Sequence, residues 1–374
     1  MTEAPDSLPE EPDIGIEGAM DILSEVLRAV RLSGAVLFRG EFSSPWSASV
    51  PDSRIAAPFL VPGARSLIFF HVVSEGRCWA EVERRAPLML EEGDVIALPY
   101  GDAHTMGNPS GERRTPLSTL LPPPPWPELP TVSHGGGGER TRILCGFLYC
   151  DDALFSPVLT SLPRVLHVRS SREPSAAWLQ TSSRYMLAEA GVQRPGGACL
   201  LGRLAELLFV EVLRCHMQTS GGAQETGWLA ALTDPTMGKV LQLMHGDLAH
   251  PWTVEGLGRA VGLSRSALAE RFRRVLGEPL MRYLTRWRLQ AAAQLLRDTD
   301  DGLAAISARV GYESEAAFNR AFKRHAGEPP ASWRSRARER ASVAPRDGSS
   351  TAASAPAGAP GEGASSRGLE PDGA

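Results

Sequence analysis

The feature that most narrows the folds open to this chain is a repeat. FRRVLGEP at 272–279 returns as FKRHAGEP at 322–329, and LGRAVG at 257–262 returns as ISARVG at 306–311. An apolar residue stands four positions before each Phe, Leu268 in one copy and Phe318 in the other. A short helical pattern, a Gly stop, a second helical pattern and another Gly stop make a helix-turn-helix unit, and the chain carries two. Ser264 and Ser314 precede the second helix of each unit. A seryl oxygen there accepts a backbone N–H that the helix start leaves without a partner. Pro279 and Pro329 follow the Gly stops, because Pro cannot carry a helix onward.

The repeat also sets two faces. Leu268, Phe272 and Val275 fall together and point inward, while Ser266, Ala269, Glu270 and Arg273 share the opposite face. In the second copy Phe318 and Phe322 point inward, and Ala316, Asn319, Arg320 and Lys323 repeat the outward spacing. A basic helix face is often no more than solvated surface. Two copies with matching caps, stops and faces point instead to a DNA major groove, which at about 12 Å wide admits one helix. There Arg320 can fork onto a guanine and Asn319 onto an adenine. Arg265, Arg273 and Lys323 are placed for phosphate. Glu270 and Glu315 repel phosphate but can accept from the cytosine amino group. Between the units, Leu284, Trp287, Leu289, Ala292, Leu295 and Leu296 predict a long buried helix over 280–296. Such a helix would hold the two readers at a fixed separation, and successive major grooves on one DNA face lie about 34 Å apart.

Charge agrees with this placement. Residues 235–340 hold 18 Lys/Arg against 11 Asp/Glu, whereas the remainder holds 21 against 32. A basic domain on an acidic chain suggests a local nucleic-acid surface. No apolar stretch is long enough for a membrane span. The five cysteines lack CxxC spacing, which together with the acidic, Pro-rich N-terminus places the expected chain in a reducing cytoplasm.

The stretches WTVEGLGRAVGLSRSALAERFRRVLGEPLMRYL, RLQAAAQLL and AAISARVGYESEAAFNRAFKRHAGEPPASWR resemble the DNA-binding domain of the AraC/XylS family of bacterial transcription regulators. The resemblance implies two helix-turn-helix units on a linker helix, binding to double-stranded promoter DNA, and activation of transcription with RNA polymerase as partner. By position it puts base reading on Ser266, Ala269 and Glu270, and on Glu315, Ala316, Asn319 and Arg320.

Upstream, GAVLF, SLIFFHVV, CWAEVE, PLML and GDVIALP alternate with turns, which predicts a small antiparallel barrel or sandwich. GDVIALPYGDAHTMGN at 93–108 matches the second cupin motif at Gly93, Pro99, Gly101, His104 and Asn108. The first motif, with its two His and a Glu, is absent, which leaves His71 and His104 as candidates for a metal or an effector. Two ligands fall short of a tight metal site, so no cofactor is expected. Cys145, within ILCGFLYC, is a candidate redox thiol, although no Lys, Arg or His stands beside it in sequence. The segment resembles the cupin-type sensor domain of some regulators of the same family, which implies a small-molecule or redox effector.

The expected architecture is an α+β multidomain chain. Residues 1–18 are expected to be disordered. Residues 19–170 form a cupin-like antiparallel β-barrel with a mobile insert at 108–140. A helical connector follows over 171–227, its helix at 197–218 serving as core or as the seam of a homodimer. An all-α DNA-binding domain spans 228–340, and a disordered tail spans 341–374. The function expected is sequence-specific regulation of transcription, not catalysis. The rivals are a cupin metalloenzyme carrying a DNA-binding appendage and a DNA-binding protein with a vestigial barrel.

Overall fold

The computed structural model describes residues 21–343 except 31, 62–63, 65, 84, 110–113, 123–125, 127, 151–157, 170–175, 193 and 220–225. The segment 1–18, and the tail beyond its first three residues, lie outside the described residues.

Helix α1 (Ile22–Ala29) opens the described chain, with the Asp21 carboxylate capping it by accepting from the Ser24 N–H at 3.0 Å. Among the described residues, eleven strands then sort into two sheets. The larger contains β1 (Ser33–Ser43), β3 (Ile68–Glu75), β6 (Val95–Leu98), β9 (Thr131–Gly135), β10 (Arg140–Tyr149) and β11 (Leu166–Val168), in the order β11-β6-β3-β10-β1-β9. The smaller contains β2 (Trp46–Val50), β4 (Arg77–Val82), β5 (Leu88–Glu91), β7 (His104–Asn108) and β8 (Thr115–Pro116), in the order β5-β4-β7-β2-β8. Short helices α2 (Ser53–Leu60) and α3 (Leu117–Leu120) lie between strands.

Two expectations change here. The barrel is not closed, and the pairing is not wholly antiparallel, because β9 joins β1 and β8 joins β2 in parallel. Both parallel strands come from the stretch expected as a mobile insert. Val132 and Leu117 sink into the sandwich core at 1% and 6% exposure, which ties down a segment whose Pro and Gly content reads as loop.

Helices cover the outside of the larger sheet. Helices α4 (Ala176–Ala190) and α5 (Gly197–Thr219), the expected connector, pack on it, with α5 running against β1 and β11. Gly34 and Gly202 make the close approach. A methyl on Gly34 would meet the Gly202 oxygen at 2.7 Å. This sheet is therefore apolar on both faces. Phe70, Val72, Leu144 and Leu148 face the helices, while Phe69, Val73, Ile143, Cys145 and Phe147 face the sandwich interior. That alternation explains the unbroken runs IFFHVV and ILCGFL.

The C-terminal part holds α6 (Trp228–Thr233), α7 (Pro235–Gly246), α8 (Val254–Ala260), α9 (Arg265–Leu276), α10 (Leu280–Asp298), α11 (Leu303–Arg309), α12 (Glu315–Ala326) and α13 (Pro330–Val343). Helix α13 runs into the first residues of the expected tail. One apolar core extends from α1, α5 and the outer face of the large sheet into α7, α9 and the first half of α10. A separate core holds the second half of α10 with α11, α12 and α13. Among the described residues, no helix is long and apolar enough to cross a membrane.

Candidate nucleic-acid interface and sensor cluster

The two repeated helices are built alike. Ser264 Oγ accepts from the Ala267 N–H and Ser314 Oγ from the Ala317 N–H, each at 3.2 Å. Gly277 and Gly327 end the helices in the left-handed region at φ 76° and 83°, a conformation open to Gly at little steric expense. Leu268, Phe272, Phe318 and Phe322 are fully enclosed. This leaves Arg265, Ser266, Ala269, Glu270 and Arg273 exposed on α9, and Glu315, Ala316, Arg320 and Lys323 exposed on α12. Ser266 Oγ stays within 3.2 Å of the capping Ser264 hydroxyl. Asn319 differs from expectation. It is half-buried at the edge of the inward face, and its Oδ1 is enclosed without a hydrogen-bond partner. To reach a base its side chain must turn outward.

Among the described residues, Arg265, Arg273, Arg320 and Lys323 have no carboxylate within ion-pair distance, so their charge is open to an external anion. Arg271, on the same helix as Arg273, is instead spent on the Asp234 carboxylate at 2.7 Å. Arg274 and Arg324 are also exposed at equivalent positions. Sequence reasoning passed over this pair, although the repeat itself marks them.

In the sandwich, strand pairing sets His71 on β3 directly opposite Cys145 on β10. His71 Nδ1 lies 2.9 Å from Cys145 Sγ, and His71 Nε2 lies 2.8 Å from His104 Nε2 on the facing sheet. His104 Nδ1 lies 2.9 Å from the Asp102 carbonyl oxygen. Burial pushes the His71 imidazole well below its usual range and His104 down to about 4, although the Asp102 carbonyl and carboxylate push His104 upward. Both rings are therefore neutral at pH 7, and the hydrogen positions follow from the partners. A carbonyl only accepts, so His104 carries its hydrogen on Nδ1. His71 then donates from Nε2 to His104 Nε2, and the Cys145 thiol donates to His71 Nδ1. Burial raises the Cys145 thiol well above its usual range, so it stays protonated. The sequence placed no His near Cys145, because the neighbour arrives only through strand pairing.

A metal ion held here would need further donors. The two imidazole nitrogens that face each other are occupied with each other, and the thiol lies on the far side of the His71 ring. Among the described residues, no group of three or more His, Cys, Asp or Glu is arranged to hold one.

Two ties join this domain to the first helix-turn-helix unit. Tyr100, in the turn before His104, donates to the Thr160 and Leu162 carbonyls at 2.9 and 3.0 Å. Thr160 Oγ1 in turn accepts from Arg286 on α10, whose other nitrogen reaches Glu278 beside the α9 stop at 3.1 Å. The second tie is buried. Trp228 Nε1 donates to the Tyr283 hydroxyl at 2.9 Å, and that hydroxyl lies 2.8 Å from His245 Nε2. His245 Nδ1 stands 4.0 Å from the Glu25 carboxylate on α1, close but not hydrogen-bonded, so here the apolar core that α1 shares with α7 and α10 makes the join. Burial brings His245 down to about 3 and raises Glu25.

A cupin family model matches residues 21–218, and a helix-turn-helix domain model matches residues 257–336. An AraC-like transcription regulator of Streptomyces antibioticus is 32% identical over 290 residues, covering 75% of this chain and 94% of its own length. The chain belongs to the AraC-like transcription regulators. The RCS-specific HTH-type transcriptional activator RclR of Escherichia coli is 28% identical over 323 residues, covering 86% of this chain and 100% of its own. Among solved structures, the DNA-binding domain of AdpA in complex with a target DNA matches 29% of this chain and 98% of its own at 28% identity, with a TM-score of 0.28. This AraC-type protein is a DNA-binding transcription regulator with an N-terminal cupin domain.

Proposed function

We propose that this regulator reads promoter DNA with α9 and α12 in successive major grooves, under the control of a signal at the cupin domain. The observation that carries the reading is the duplicated, serine-capped helix with unpaired cations on its outward face. Arg320 and, after a side-chain turn, Asn319 contact base edges, while Arg265, Arg273 and Lys323 hold phosphates. Ser266, Ala269, Glu270, Glu315 and Ala316 line the same faces and tune base preference. The protein acts in the cytoplasm as an activator that engages RNA polymerase. The signal passes through the Thr160–Arg286 hydrogen bond and the apolar core that α1 shares with α7 and α10, shifting how the first unit is held.

The effector acts at or near the His71–His104–Cys145 cluster and needs no metal. A small molecule that breaks the hydrogen-bonded chain and an oxidant that modifies Cys145 would both disturb the turn at Tyr100 and Asp102. The buried, protonated thiol favours the small molecule. An oxidant response that vanishes in Cys145→Ser would reverse that preference.

Helix α5 supplies a seam for a homodimer. Leu200 and Leu207 are 37% and 54% exposed, and with Arg203, Val210 and Arg214 they follow heptad spacing. An antiparallel pairing centred on Leu207 sets Arg203 against Glu211 of the partner subunit, and the reverse. Leu207→Glu is expected to leave a monomer in sedimentation analysis. A parent that is already monomeric would remove the seam.

The deciding experiment is selection of bound sequences from a random DNA pool at fixed salt. Two motifs about 10 base pairs apart are expected. Enrichment of a single motif would leave one helix without a reading role.

A further inference from the structure

The two helix-turn-helix units do not share a core. The first closes around residues up to Trp287 on α10, and the second begins at Leu289. Arg288 stands at the boundary, half-buried, and its guanidinium meets three backbone carbonyls. Nε donates to Leu248 at 2.9 Å, Nη2 to His250 at 2.7 Å and Nη1 to Gly311 at 3.0 Å. Leu248 and His250 belong to the loop between α7 and α8, in the first unit. Gly311 is the turn that leads from α11 to the second recognition helix. That turn has φ 77°, and a methyl on Gly311 would stand 2.4 Å from the Leu248 oxygen and 2.6 Å from Arg288 Nη2. The first unit's loop and the second unit's turn are therefore in contact, and one side chain spans both.

We infer that Arg288 is a positioning residue for DNA recognition, setting the angle between the two recognition helices and hence the half-site spacing that the protein accepts. This rests on the reading that α9 and α12 both enter major grooves. Helix α10 fixes how far apart the units lie. At residue 288 the helix passes from one apolar core to the other, so a small curvature there changes the angle between the two units. A planar guanidinium with donors in a rigid fork locks the three carbonyls in one arrangement. Lysine has the charge but lacks the fork. Arg288 touches no DNA in this scheme, so its removal alters spacing and leaves base preference intact.

The test uses the full chain on duplexes carrying the selected motifs with zero, one or two base pairs inserted between them. One inserted pair rotates and shifts the second half-site, which is expected to weaken the parent by about tenfold or more, comparable to a mismatch. In Arg288→Lys that ratio falls below about threefold, with the preferred bases at each motif unchanged. A Lys variant that keeps the parent's spacing ratio, or that loses affinity equally at every spacing, overturns the proposal. Spin labels on Arg274 of α9 and Arg324 of α12, read by pulsed electron resonance without DNA, give an independent measure. A single narrow distance in the parent broadens in the Lys variant, and an unchanged distribution again overturns the proposal. If the parent shows no spacing preference, the two-groove reading fails, and the label distances still decide the role of Arg288. If Arg288→Lys does not fold, Gly311→Ala strains the same joint from the other side. Failure of both to fold makes the joint a stability element and overturns the positioning role.

Discussion

Acid should unfold the sandwich earlier than its carboxylates alone would, and His104 allows the effect to be sized. In the unfolded chain its imidazole titrates near 6.5, and in the folded protein near 4. The folded value is the lower one, so the unfolded state takes up the proton first. The associated stability is intact above about pH 7 and is lost as pH falls from 6.5 toward 4. At pH 5 this proton uptake shifts the equilibrium toward the unfolded chain by a factor of about 30 relative to neutral pH, which is about 2 kcal/mol. His71 acts in the same direction. The perturbation is His104→Asn, whose amide can still donate to the Asp102 carbonyl but does not titrate. It leaves the His71 Nε2 hydrogen without its acceptor, a baseline loss of about 1–3 kcal/mol. The assay is urea unfolding followed by tryptophan fluorescence, with Trp46 in the same core as the histidines. Between pH 6.5 and 4.5 the parent should lose up to about 1.4 kcal/mol per pH unit more than the variant. Parallel curves for the two proteins would refute the neutral, directional chain from Cys145 to Asp102.

Arg320→Ala should relax base preference at one position and weaken specific binding by about 1–3 kcal/mol, and an unchanged selected motif would take Arg320 off the base edge. Lys323→Ala should weaken binding to every sequence alike and lower the salt slope by about one, so a slope equal to the parent's would place Lys323 away from phosphate. Ser314→Ala removes the acceptor for the Ala317 N–H and should cost the second unit about 1 kcal/mol in thermal unfolding; no change would mean that water caps the helix equally well.

What could be read from the sequence was whatever repeats or alternates locally. The two recognition helices end where their serines and glycines say. The apolar runs FFHVV and ILCGFLYC, set between turns, mark strands, and GDVIALPYGDAH marks the cupin turn with its inward His. In the insert, Pro and Gly density hides the single apolar residues, Leu117 and Val132, that anchor it. Helical phase puts Asn319 on the outward face, but phase alone does not show how wide the buried face is.

Other features have no local signature at all. Cys145 meets His71 only because β3 and β10 pair in one register. Arg288 meets three carbonyls from two units, and Arg286 meets Thr160 across 126 residues of chain. The sequence by itself determined that there are two repeated helix-turn-helix units and a cupin-like domain, because caps, stops and hydrophobic period act over a few residues. Only the tertiary structure decided which side chains close the His71–His104–Cys145 cluster and join the domains. Those contacts form between residues far apart in the chain, and no local pattern encodes how the strands and helices dock.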